Sequence, residues 1–78
     1  MPRYYFHVHN DDITHDQEGK ELSDDLAAGS FATLGARSLA AASVVEGHLV
    51  LSHFVRVEDA DKQHVMTVTF GDAVNVRP

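Results

Sequence analysis

The sequence predicts an α+β domain in which one long helix packs across a three- to four-stranded antiparallel sheet, in the order β-β-α-β-β. Three observations carry that prediction. The segment 23–47 opens on the helix-start residues Ser23, Asp24 and Asp25, closes on Gly47, and contains no proline. Arg3 to Asn10 alternates between apolar and polar side chains, as a half-buried strand does. Two more alternating runs, His53 to Glu58 and His64 to Phe70, flank a charged connection.

In the first strand Tyr4, Phe6 and Val8 point one way, and Arg3, Tyr5, His7 and His9 the other. The apolar set should meet the helix. Asn10-Asp11-Asp12 then breaks the strand, and the acidic segment through Glu18-Gly19 lacks periodicity, which predicts a surface loop. Lys20-Glu21-Leu22 is long enough only for a short strand that closes a hairpin with the first.

Within the helix, Ala27, Phe31, Leu34, Ser38, Ala41 and Val45 fall on one stripe, and Ala28, Ala32, Gly35, Leu39 and Ala42 on the next. Together they predict the buried face. Ser30, Thr33, Arg37 and Ala40 form the stripe expected to be wet. Because so many of the face positions are Ala or Gly, the helix backbone should lie close to a sheet that supplies the bulk.

The run His48-Leu49-Val50-Leu51-Ser52 fits either a packed connector or the start of a strand. In the strands that follow, Val55 and Val57 share one face, with Phe54, Arg56 and Glu58 on the other. Met66, Val68 and Phe70 oppose Val65, Thr67 and Thr69. The connection 58–63 reads as a hairpin loop without the glycine that tight hairpins use. Gly71-Asp72 ends the last strand, and the tail from Ala73 to Pro78 either frays or adds an edge strand to another copy.

Seventy-eight residues make one domain, residues 1–78, with a small core. The chain has no cysteine, which excludes disulfides and thiol chemistry and suits a reducing cytoplasm. No apolar run has the length of a membrane span or a signal-peptide core, so a soluble, cytoplasmic protein is expected. Twelve acidic and six basic side chains give a formal charge of −6, and the basic ones are scattered. That balance opposes nucleic-acid binding.

The opening Met1-Pro2-Arg3-Tyr4-Tyr5-Phe6-His7-Val8, the loop Asp16-x-Glu18-Gly19-x-Glu21-Leu22, the Ala36-Arg37-x-Leu39 step and the closing strand pair resemble one family of short proteins. These are the uncharacterised DUF6894-type proteins common in alphaproteobacteria. The resemblance covers nearly the whole chain, and the opening octet is its most specific part. The chain departs from the usual pattern in its weakly charged helix and in Ala60-Asp61-Lys62, where a glycine is usual. What the resemblance implies is a small α+β domain of unknown function and bacterial, cytoplasmic origin, with no active site to carry over.

Histidine is the one constellation with possible chemistry. His7-x-His9 puts two imidazoles on one strand face, roughly 6 to 7 Å apart, a spacing that chelates Zn, Ni or Cu if a third ligand arrives. Candidates for that ligand are His15, Asp11, Asp12, His53 and His64. The plainer reading is a wet sheet face with histidines packed on Tyr5, needing no metal. The acidic loop lacks the Asp-x-Asp-x-Asp-Gly spacing of an EF-hand and reads as a solvated turn. No phosphate loop, nucleophile elbow or HExxH is present, so no enzymatic activity and no cofactor are expected.

One helix covers one face of a sheet, which leaves the face bearing Tyr5, His7, His9 and Phe54 for water, a ligand or a second subunit. The first expectation is a homodimerising interaction module using that face, with Tyr5 and Phe54 as interface residues, or a strand edge. Leu49-Val50-Leu51 and Val74 to Val76 are its supporting features. The alternative is a metal- or small-ligand-binding domain using His7 and His9. Six imidazoles on an acidic chain also allow a pH-sensitive assembly.

Overall fold

The computed structural model describes residues 1–78. Its elements are β1 (Arg3–His9), β2 (Ile13–Thr14), β3 (Lys20–Glu21), α1 (Asp25–Val45), β4 (Phe54–Glu58), β5 (His64–Thr69) and α2 (Phe70–Ala73). All strand pairs are antiparallel, and the sheet runs β2-β1-β4-β5 with β3 also on β1. The α+β class and the β-β-α-β-β order of the sequence reading hold. The strand count rises to five because the acidic segment, expected to be all loop, contributes β2 through Val8↔Thr14 and His9↔Ile13. Two-residue strands carry no alternation to read.

Helix α1 begins where its cap chemistry allows. Asp24 is the N-cap, its backbone extended and its carboxylate accepting the Ala27 N–H at 2.8 Å. At the far end Gly47 takes φ 98, and the Gly47 and His48 N–H groups donate to the Val44 and Ser43 carbonyls. That pair of bonds is a Schellman motif, which accounts for the glycine.

The face that α1 buries differs from the expected one. Ala28, Ala32, Ala36 and Ala40 are buried, whereas Leu34 is 62% exposed, Val45 88% and Leu26 80%. At about 100° per residue the true face is turned by roughly a third of a revolution. The expected wet stripe is corrected at Ala40, which is 4% exposed, and the expected buried stripe at Phe31, Leu34, Ser38, Ala41 and Val45, all exposed. The reason is steric. Alanines at every fourth position let the backbone settle onto Val55 and Val57, where larger side chains would hold it off.

The sheet supplies the bulk, as expected. Tyr4, Val55 and Val57 are buried beneath α1, with Phe6, Val8, Met66 and Val68 packed around them. The Phe6 and Phe31 rings meet edge-on at 4.9 Å. Tyr4 donates its hydroxyl to the Asp25 carboxylate at 2.7 Å, which ties β1 to the start of α1.

Two further corrections concern the C-terminal third. The last strand stops at Thr69, and Phe70 opens α2, held by a capping box between Thr69 and Asp72. Phe70 is wholly buried, and its N–H donates to the His53 carbonyl at 2.7 Å. The tail is anchored at its start, because Arg37 Nε donates to the Ala73 carbonyl at 2.6 Å. Residues 48–52 form a turning connector without strand pairing. In the β4–β5 loop Lys62 occupies the left-handed region at φ 63, the position a glycine would otherwise take.

Candidate functional site

The face of the sheet opposite α1 carries the predicted residues Tyr5, His7, His9 and Phe54. Strand register decides their neighbours: His7 pairs with Arg56, His9 with Phe54 and Tyr5 with Glu58. His9 stacks on Phe54, with ring centroids 4.5 Å apart and an interplanar angle of 12°. Tyr5 packs under the loop at Gly19, where an added Cβ would lie 2.9 Å from its ring and 2.8 Å from the Tyr4 carbonyl. Gly19 has φ 69, so both space and backbone require glycine there. All four predicted residues are partly covered.

His7 is the hub of this face. Its Nδ1 accepts the Asp16 N–H at 3.0 Å, so in the neutral ring Nε2 carries the proton and donates to Glu58 Oε1 at 3.1 Å. The other Glu58 oxygen accepts from Arg56 Nε at 2.9 Å. The Arg56 hydrogen bond, and after burial's opposing push the His7 one, hold the Glu58 carboxyl below its usual range.

Asp16 closes a gap in the sheet. Strand β2 covers Val8 and His9, and β3 covers Arg3 and Tyr4, which leaves Phe6 between them. Asp16 Oδ2 accepts the Phe6 N–H at 3.1 Å, while Oδ1 accepts from Glu18 and Gly19 at 3.2 and 3.0 Å. Burial pushes its carboxyl up, but the backbone N–H groups of Gly19, Phe6 and Glu18 outweigh that and hold it below the usual range.

A cleft of about 520 Å³ opens beside this network, lined by residues that include Tyr5, His7, His15, Glu58 and Lys62. The His15 ring stands edge-on to His7 at 5.2 Å. Both ring nitrogens of His7 and both oxygens of Glu58 are already bonded. The Tyr5 hydroxyl, the His15 ring, the Gln17 amide and the Lys62 ammonium form no hydrogen bond within the chain and are free to meet a ligand.

The other third-ligand candidates are dispersed. Asp11 faces His48 and His53 at 3.7 and 3.9 Å, on its own edge of the molecule, and His64 bonds Thr67 at 2.8 Å. His53 leans edge-on against Phe70 and leaves a buried Nδ1 without a partner. No group of three or more His, Asp or Glu side chains is arranged to hold a metal ion.

Sequence reasoning passed over Arg56 and Glu58 as site residues, although period-2 alternation put them on one face. The missing information was register, which alone sets them opposite His7 and Tyr5. Asp16 stands in the sequence as part of the acidic loop, and its role as a substitute strand partner is a consequence of the gap between β2 and β3.

No helix of the chain is long and apolar enough to cross a membrane. No curated protein and no solved structure matches the chain. A family model described as "Domain of unknown function (DUF6894)" matches residues 3–71, from the first residue of β1 into the first turn of α2. The match takes in both the His7–Asp16–Glu58 network and α1, and by it the chain belongs to the DUF6894 family.

Proposed function

We propose that this domain is a non-enzymatic interaction module that works as a homodimer. The observation that carries the reading is the outward placement of large apolar side chains on α1. Leu26, Leu34, Val44 and Val45 are exposed on a chain whose buried core has nine residues. Leu26 and Leu34 line one groove with Met66 and Val68, and a contiguous apolar surface of that kind marks an interaction site where single exposed leucines would not. The sheet face first considered for that role, with Tyr5 and Phe54, is half-covered by the Asp16 loop and by His9. This favours α1 and its neighbouring strand edge as the contact surface. A native mass spectrum of the untagged protein tests the reading: a two-chain mass without adduct is expected, and a single-chain mass at all concentrations would overturn it.

The cleft beside His7 favours a second reading, a small-ligand site using Tyr5, His15 and Lys62. A transition metal held by His7 and His9 is less well supported, since His7 spends both ring nitrogens on Asp16 and Glu58. A stoichiometric small-molecule or metal adduct in the same spectrum, lost in a His7→Ala/His9→Ala double variant, would support it.

A further inference from the structure

The sheet ends at β5, and no other strand of the chain pairs with that edge. The Phe70 N–H points inward to His53, and antiparallel ladders alternate inward with outward positions. Met66 and Val68 therefore turn their backbone groups toward β4, and Thr67 turns its N–H and C=O outward. The Thr69 N–H, also outward, is taken by the Asp72 carboxylate at 3.3 Å. The strand has no lysine or proline, the residues that commonly blunt an open edge.

Beside that edge runs a groove of about 670 Å³, with Met66 and Val68 as its floor and α1 as its wall. The wall is self-complementary about Ser30. Leu26 and Leu34 stand on either side of it, and beyond them Asp25 and Arg37, with the small residues Gly29 and Thr33 between. Asp25 gives one carboxylate oxygen to Tyr4, and Arg37 gives Nε to Ala73. The other Asp25 oxygen and the two terminal nitrogens of Arg37 have no partner within the chain.

We propose that β5 pairs antiparallel with β5 of a second copy, about a two-fold axis through Thr67 and perpendicular to the sheet. This deepens the self-association reading above and rests on it. In that register the two Thr67 residues exchange N–H···O=C bonds, and Met66 lies opposite the partner subunit's Val68, so the groove floors join. The axis keeps both α1 helices on one face and makes them antiparallel. Because α1 packs over β4 and β5, the two helices come to roughly 10 Å apart, an ordinary packing distance. Leu26 then meets the partner subunit's Leu34, and Asp25 faces the partner subunit's Arg37. The leucine pair centres on Ser30 and the charge pair one residue further on, so the surface is complementary to its own copy about nearly one point.

The chain has no cysteine, so single introduced thiols report directly on this geometry. Ser30→Cys, close to the axis, should give a disulfide-linked two-chain species on mild oxidation, and Ser52→Cys, in the exposed connector, should not. Leu34→Asp and Thr67→Pro should each return the solution mass to the 8.6 kDa of one chain with an unchanged circular dichroism spectrum. Leu34 is exposed, so its variant decides the matter even if the proline variant fails to fold. A two-chain mass that survives Leu34→Asp, with no linkage at Ser30→Cys, would overturn this surface while leaving the self-association reading standing. A single-chain mass for the wild type at every concentration up to about 100 μM would overturn both.

Discussion

Lys62 holds a backbone conformation, φ 63, that a side chain disfavours by roughly 1–2 kcal/mol. It is kept there by Asp59, whose carboxylate accepts from the Asp61 and Gln63 N–H groups at 2.9 Å and whose carbonyl accepts from Lys62. Lys62→Gly should therefore raise stability by about 0.5–1 kcal/mol, after the extra freedom that glycine gives the unfolded chain. Urea denaturation reads this, and a lowered midpoint would contradict it. Tyr4 offers a test of opposite sign. Its hydrogen bond to Asp25, with burial and nearby carboxylates adding to it, pushes the phenol from 10.0 up to about 12. A folded-state value above the unfolded one means that Tyr4 contributes stability fully below pH 10.0 and loses it as pH rises toward 12. The thermal midpoint should fall across that window in the wild type. In Tyr4→Phe it should be lower at neutral pH and flatter there; an unchanged alkaline slope would refute the assignment.

Among the elements, helix α1 marks the boundary between what the residues disclose and what packing decides. Its ends were legible, because Asp24 and Gly47 act through local chemistry. Its buried side was not. Apolar residues surround the helix, so periodicity selects no single face, and the choice falls to how near the backbone can approach Val55 and Val57. Strand faces were legible for the opposite reason: Tyr4, Phe6 and Val8, or Val55 and Val57, admit one sorting only. The partners of His7 on the second face were hidden, since register is a long-range property. The alanine row makes the packing argument testable. Ala36→Leu should cost about 1–3 kcal/mol by overfilling a contact that has no room, whereas Leu34→Ser, on the outer side, should leave the unfolding free energy of a single chain nearly unchanged. Equal losses at the two positions would place the core on the wrong side of α1.

Across the whole molecule, the acidic loop from Asp11 to Glu21 is attached to the sheet by short strands and by two carboxylates. Asp16 binds the loop to the Phe6 backbone and, through its own N–H, to His7; Glu58 receives His7 from the β4 side. Both carboxyls are held below their ordinary values of 3.8 and 4.5. A folded-state value below the unfolded one contributes stability at pH above the unfolded value, and that contribution is lost as pH falls through the folded value. The formal charge of −6 pulls the other way, since protonation relieves repulsion. Repulsion between exposed carboxylates more than about 8 Å apart is largely screened at physiological salt, whereas the Asp16 bonds are direct and partly buried, so the local effect should win. Stability should therefore decline from about pH 4.5 downward, with hydrogen exchange accelerating first at the Phe6, Glu18 and Gly19 amides. Asp16→Asn should show the faster exchange already at neutral pH and a shallower acid decline. If the variant instead exchanged and unfolded in parallel with the wild type at every pH, the loop would be held by β2 and β3 alone.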